Sequence, residues 1–228
     1  MSFPDLSTID TWVIDLDNTL YPSSLKLFSQ VEHRIGEFIA NLLNVSRESA
    51  HTLQKTYYTD FGTSLKGLMH IHNVAPEEFL EFVHDIDLSI LTPDPELDHL
   101  LGNLPGRKLI YTNGSEGHAR NIIRTMNIEH HFCDIYDSAA AGYAPKHHAT
   151  VFERFVALLA IDPKRSIMID DLASNLKPAH DLGLTTVWIQ TERDWGAPQA
   201  DGAKRQQSCV HADFQAPDLI SFLRQIGS

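Results

Sequence analysis

Four short stretches carry polar groups of the kinds that do chemistry together. Asp15-Leu16-Asp17-Asn18-Thr19-Leu20 holds two carboxylates two residues apart, and Thr112-Asn113-Gly114 adds a hydroxyl in front of an amide and a glycine. Lys146 contributes an ammonium, and Asp170-Asp171 a second carboxylate pair. Singly, each has a plainer explanation: Asx and Thr-Asn-Gly stretches form turns, a lone lysine is usually solvated, and an Asp pair ahead of Ser174 can cap a helix. A calcium loop is excluded, because counting from Asp15 puts Leu20 where glycine is needed and Lys26 where a bidentate glutamate is needed. Their joint occurrence carries the argument. Each stretch follows an apolar run, and successive strands of a parallel sheet bring their C-terminal ends to one edge. Hydroxyl, ammonium and four carboxylates then surround one small volume.

A phosphomonoester dianion entering that volume meets up to four negative charges and one ammonium. A unit pair about 4 Å apart is worth about 4 kcal/mol at an effective dielectric of about 20, so repulsion wins unless a divalent ion sits among the carboxylates. Oxygen-only ligands beside a phosphate point to Mg2+.

The runs that must position these groups alternate with helical patterns from about residue 108 onward. Strands are expected at 12–14, 109–111, 166–169 and 185–189, with a weaker one at 134–136. Helices are expected at 116–126, 149–159 and 174–182, the last closed by Gly183 where a C′ glycine belongs. This alternation predicts an α/β fold with a Rossmann-like, doubly wound parallel sheet. Residues 22–91 read differently. Phe28, Val31, Ile35, Phe38, Ile39 and Leu42 recur at steps of three and four, one helical stripe. Ser46 is placed to cap a helix through Leu53 and Tyr57, and Pro76 followed by Glu77 and Glu78 opens another. Pro93-Asp94-Pro95 marks the return, with Asp94 capping a short helix that carries Leu97, Leu100 and Leu101. The expected organisation is a core formed by 1–21 and 92–228, with a small all-helical cap at 22–91 inserted after the first strand. A polar loop at 193–207 is expected before a last helix beyond Pro217.

The chain of 228 residues carries a formal charge of −12, which argues against a nucleic-acid polymer or an anionic membrane as partner. At 43% hydrophobic and 21% charged it has an ordinary globular composition. Cys133 and Cys209 lack CxxC spacing, which excludes a disulfide framework and a zinc ribbon and leaves buried or idle thiols. The longest apolar run, 155–161, falls far short of the about 20 residues of a spanning helix, and there is no basic leader, so a cytoplasmic address is expected. The 13 histidines read mostly as surface residues, and the adjacent pairs His130-His131 and His147-His148 are not expected to face one ligand from a helix or strand.

The set Asp15-x-Asp17-x-Thr19, Thr112, Lys146 and Asp170-Asp171 resembles the haloacid dehalogenase superfamily of phosphatases over nearly the whole chain. The helical insert corresponds to that superfamily's cap domain. Phe61-Gly62-Thr63-Ser64-Leu65-Lys66-Gly67-Leu68 and Gly142-Tyr143-Ala144-Pro145-Lys146 are similar to the pyrimidine 5′-nucleotidase branch, while His147 stands where many relatives carry proline. The resemblance implies that Asp15 is the nucleophile, forming an aspartyl-phosphate. Asp17 then protonates the leaving alkoxide and later draws a proton from water, with a pKa held up by neighbouring carboxylates. Thr112 and the amides after it, Asn113 included, hold a phosphoryl oxygen beside a helix N-terminus near Ser115, and Lys146 offsets charge on nucleophile and phosphoryl group. The implied Mg2+ shell is the Asp15 carboxylate, the Asp17 backbone carbonyl and Asp171, with Asp170 in support and Asn175 orienting Asp171. The cap is expected to close over the leaving group, and its polar residues Thr63, Lys66 and His70 to choose the substrate.

The expected activity is hydrolysis of a small phosphomonoester, first UMP or CMP and next a sugar or other metabolite phosphate. Phosphosugar mutase chemistry is a related alternative. Haloacid dehalogenation proper attacks carbon without a metal, and Asp17 with the Asp170-Asp171 pair counts against it. The complete acid, hydroxyl, ammonium and metal set argues against a non-catalytic binding protein. Monomer and homodimer are both open.

Overall fold

The computed structural model describes residues 6–191 and 209–227, so the loop expected at 193–207 lies outside the described residues. Strand β1 (Thr11–Ile14) is buried along its whole length, as a strand covered on both faces must be. Around it lie β2 (Arg107–Tyr111), β3 (Phe132–Tyr136), β4 (Ser166–Asp170), β5 (Thr185–Ile189) and β6 (Phe214–Ala216). The strand order is β3-β2-β1-β4-β5-β6, and every neighbouring pair is parallel. The α/β, doubly wound sheet is therefore as expected. Strand β6 was not foreseen: three residues at a sheet edge are too few to show a period of two.

Alternation along β1 builds both layers of the core. Trp12 and Ile14 point into one cluster with Ile110, Ile169 and Val187, while Val13 points into the other with Leu109, Met168 and Trp188. The first cluster is covered by α5 (Pro95–Asn103), α6 (Glu116–Thr125) and α9 (Leu219–Ile226), the second by α7 (Ala149–Leu158) and α8 (Ala173–Leu182). Asp94 caps α5 as expected, its Oδ1 accepting from Glu96 and Leu97 amides, and Gly183 ends α8 at φ 91.

Between β1 and β2 the chain forms α1 (Leu27–Leu43), α2 (Arg47–Phe61), α3 (Ser64–His72) and α4 (Pro76–Val83). They enclose their own core of Val31, Phe38, Ile39, Tyr57, Leu65, Leu68, Phe79 and Val83. Ser46 caps α2 and Pro76 opens α4, both as expected. Leu42 is a correction. It is 44% exposed, because Leu43, four residues beyond Ile39, takes the inward position instead.

The insert touches the rest of the chain beside the C-terminal strand ends. Tyr143 donates to Glu77 of α4 at 2.8 Å, while within the insert Gln30 and Asp87 exchange two 3.0 Å hydrogen bonds that tie α1 to the segment after α4. Gly62, at φ +83, ends α2, and a Cβ there would stand 2.6 Å from Pro145 and 2.8 Å from His147. The first segment singled out for its branch resemblance therefore lies against the second, at the residues on either side of Lys146.

Cys133 is exposed on β3 and Cys209 is half-buried, and both thiols are free. One surface reading is corrected. His130 and His131, which end a 3-10 turn at Glu129–His131, do converge on one group, Asp98 Oδ1 at 3.1 and 2.7 Å. Among the described residues, no helix is long and apolar enough to cross a membrane.

Candidate active site

The strand order reverses between β1 and β4, and at that switch point an open parallel sheet has a crevice beyond its strand ends. Asp15 follows β1 and extends the ladder, its N–H donating to Ile169 at 3.0 Å. Asp170 ends β4 and Asp171 follows, its carbonyl accepting from the Trp188 indole at 2.9 Å. Asp15, Asp170 and Asp171 are all buried, and each offers a carboxylate oxygen within 4.8 Å of the other two. Lys146 reaches in from the loop before α7, 1% exposed. Its Nζ donates to Asp15 Oδ1 at 2.5 Å and to the Tyr111 carbonyl at 2.9 Å, and lies 2.7 Å from Asp170 Oδ2. Those three contacts occupy the ammonium, so its charge is spent first on Asp15 and Asp170.

Burial pushes the Asp15 carboxyl up, the charges of Asp170 and Asp17 add to that, and Lys146 opposes it. The outcome is a pKa of about 7. Asp171 is likewise raised well above the carboxylate range by burial and by Asp15 and Asp170. Burial would lower Lys146, but Asp15 and Asp170 outweigh it and raise it. Three carboxylates thus share one ammonium.

Thr112 continues β2, its N–H donating to Tyr136 at 3.0 Å, and its hydroxyl oxygen accepts from the Gly114 amide at 2.9 Å, leaving the hydroxyl hydrogen free to donate. Helix α6 begins next, with Ser115 as its cap. Asn113 turns its side-chain oxygen to the Lys146 amide at 3.1 Å, so it braces the lysine loop. Thr63 caps α3 by accepting from the Lys66 amide at 3.1 Å, one residue beyond the Gly62 contact with Pro145 and His147. Lys66 lies half-buried in that first turn and His70 is exposed.

Residues 9–183 match the haloacid dehalogenase-like hydrolase family. The chain belongs to that family. Phosphate metabolism protein 8 of Saccharomyces cerevisiae is 27% identical over 197 residues, covering 75% of this chain and 58% of its own length. The chain thus spans little more than half of that curated relative. The magnesium-bound HAD-hydrolase YfnB from Bacillus subtilis superimposes with a TM-score of 0.60 at 15% identity, covering 96% of this chain and 99% of that one. The HAD phosphatase from Thermococcus onnurineus gives 0.59 at 17%, covering 96% and 98%, and the L-2-haloacid dehalogenase from Xanthobacter autotrophicus 0.57 at 12%, covering 96% and 99%. At such identities the likeness speaks for the fold.

In this haloacid dehalogenase-like hydrolase, two expectations about the site change. Asp17 does not join the carboxylate group: its Oδ1 accepts from Tyr21 at 2.6 Å and from His118 Nε2 at 3.0 Å. Burial works to raise Asp17, but the charge and hydrogen bond of His118 and the Tyr21 hydroxyl outweigh it and hold the carboxyl below its ordinary value. Asn175 donates to Asp170 Oδ1 at 2.9 Å, not to Asp171, because the Leu172 turn breaks helical spacing before α8 begins. Sequence reasoning also missed His118, 3% exposed, and Tyr21, 1% exposed. The signal for His118 was Ser115, whose cap sets a helix start and so turns the third residue beyond it back toward the strand ends.

The group fits Mg2+. The donor set is all carboxylate oxygen, Lys146 is the one ammonium in contact with it among the described residues, and octahedral Mg2+ holds neighbouring ligands about 3 to 4 Å apart, inside the observed spread.

Proposed function

We propose that the protein is a Mg2+-dependent phosphomonoester hydrolase working through an aspartyl-phosphate, with pyrimidine nucleoside 5′-monophosphates such as UMP and CMP as its first substrates. The observation that carries the reading is the buried group of Asp15, Asp170 and Asp171 around Lys146. Asp15, Asp170 and Asp171 would hold the ion, which when bound offsets the carboxylates and the phosphoryl oxygens. Thr112 and the amides leading into α6 hold a phosphoryl oxygen, helped by the positive end of that helix. Lys146 keeps Asp15 aimed and opposes the burial that raises its pKa. An Asp15 oxygen bonds to phosphorus as the ester P–O bond breaks, and Asp17 gives the departing alkoxide its proton. Asp17 then takes a proton from water as the water oxygen bonds to phosphorus, the bond to Asp15 breaks, and phosphate leaves. Because Asp17 rests ionised between Tyr21 and His118, it must gain a proton when substrate binds.

The nucleotide assignment is supported by the branch-like segments around Gly62 and Pro145, which meet beside Lys146. Asp17 and the Asp170-Asp171 pair weigh against dehalogenation, which needs neither a proton donor two residues on nor a metal. The test is phosphate release from an aryl phosphate with Mg2+ and again with EDTA, then from UMP, CMP, AMP, GMP and sugar phosphates at matched concentration. Release with Mg2+ alone, highest on UMP and CMP and absent in Asp15→Asn, is expected. Activity in EDTA overturns the metal assignment. Normal turnover by Asp15→Asn overturns the covalent route, and a preference for hexose phosphates overturns the nucleotide.

A further inference from the structure

The inserted helices end in a histidine that reaches the strand-end site. His84, the C-terminal cap of α4, stacks on His118 with ring centroids 4.1 Å apart and planes 12° from parallel. Its Nδ1 lies 2.9 Å from Ser115 Oγ. The same Ser115 oxygen accepts from the His118 amide at 3.3 Å, so one hydroxyl links both histidines. Burial and the charge of His118 lower the His84 pKa to about 3 against the pull of Asp17, so the stacked ring is neutral. The turn at Thr112 and Gly114 touches the same rings: a Cβ on Gly114 would stand 3.3 Å from His118 and 3.6 Å from His84. Below the stack, His118 Nε2 holds Asp17 Oδ1 at 3.0 Å, with Tyr21 on the same oxygen at 2.6 Å. Oδ2 is therefore the oxygen left to exchange a proton.

We propose that His118 and His84 are positioning residues for the Asp17 carboxyl, and that His84 makes this positioning depend on the helical insert being seated on Ser115. The inference rests on the phosphatase reading, in which Asp17 is the acid and base. His118 stands on the sheet side and His84 on the insert, so Asp17 is fully aligned only when the two parts meet. Neither ring touches the reacting atoms.

A positioning role predicts a loss that follows the leaving group. A dinitrophenolate leaves without a proton, whereas an alkoxide or ribose oxygen needs one, and general acid catalysis is commonly worth about 100-fold to 10,000-fold. The experiment compares kcat and KM of wild type, His118→Asn, His84→Ala, His84→Phe and Ser115→Ala on a dinitrophenyl phosphate and on an alkyl phosphate. His118→Asn is expected to lower kcat on the alkyl ester by about 100-fold and on the aryl ester by less than about threefold, with KM nearly unchanged on both. His84→Ala and Ser115→Ala should show the same selectivity with smaller losses, and His84→Phe, which keeps a stacked ring, should recover part of it. Equal losses on both esters, or a change in KM alone, overturn the proposal.

A second measurement does not need turnover. The ring-proton resonances of His118 should move in His84→Ala, which removes the stacked ring, and its Nε2 resonance in Asp17→Asn. If wild type hydrolyses no phosphomonoester, the phosphatase reading falls. Unmoved His118 resonances refute the stack itself, whatever the activity.

Discussion

Lys146 is held between carboxylates that have no other cation near enough to replace it among the described residues. Removing one partner of a buried pair costs about 3–5 kcal/mol, so Lys146→Ala should melt about 10 °C below wild type, with turnover lost even where the variant remains folded. Thermal melts and phosphate release read the two effects separately. Asp15 makes an opposite prediction for the metal-free protein. Its folded pKa is raised from 3.8 to about 7, so between those values the folded chain keeps a proton that the unfolded chain has released. Its contribution to stability therefore falls as pH climbs through that window and stays low above it. In EDTA, Asp15→Asn should melt above wild type near about pH 8, and the gap should close toward about pH 4. A gap that widens in acid would contradict the assignment. The residues readable beforehand, Asp15, Thr112, Lys146 and the Asp170-Asp171 pair, share one property: each follows an apolar run whose end the sheet must bring to the same edge. Tyr21 and His84 could not be read that way. One sits in an irregular turn four residues past Asp17, the other reaches the site only because the insert folds back, and neither is marked by a local period. The depressed Asp17 pKa follows from the missed His118.

At the level of elements, Gly62 joins α2 to the loop that carries Lys146. Its left-handed φ of +83 and the 2.6 Å from a Cβ to Pro145 act together. Gly62→Ala should cost about 1–2 kcal/mol from the backbone alone, and relief of the clash should shift the insert away from Pro145. The expected readout is a lower Tm with a larger proportional loss of turnover. Unaltered turnover would mean that this contact does not set the geometry at Lys146. Three of the insert's helices, α1, α2 and α4, were legible from stripe and cap, as Val31, Phe38, Ile39, Ser46 and Pro76 bear out, while α3 was not. The docking of the insert was not legible, because it depends on single polar contacts such as Tyr143 with Glu77 and His84 with Ser115, whose partners lie far apart in the chain.

At the scale of the whole molecule, an ion that binds only the folded chain stabilises it by mass action. Mg2+ at about 100 times its Kd should add about 2.7 kcal/mol, a rise in Tm of about 5–10 °C that EDTA reverses and Asp171→Asn largely loses. A melt indifferent to Mg2+ would show that the carboxylates gather for another reason. The sheet register has a consequence for biogenesis. Thr11 of β1 pairs with Arg107 on one side and Ser166 on the other, with five α-helices intervening before the first of these partners. A ribosome adding about 5–20 residues per second releases α1 to α4, whose contacts are short-range, seconds before β2 exists. The innermost strand is thus the earliest made and among the last to be paired, so a nascent chain stalled near residue 92 offers two bare β edges to chaperones or to a neighbouring polysome.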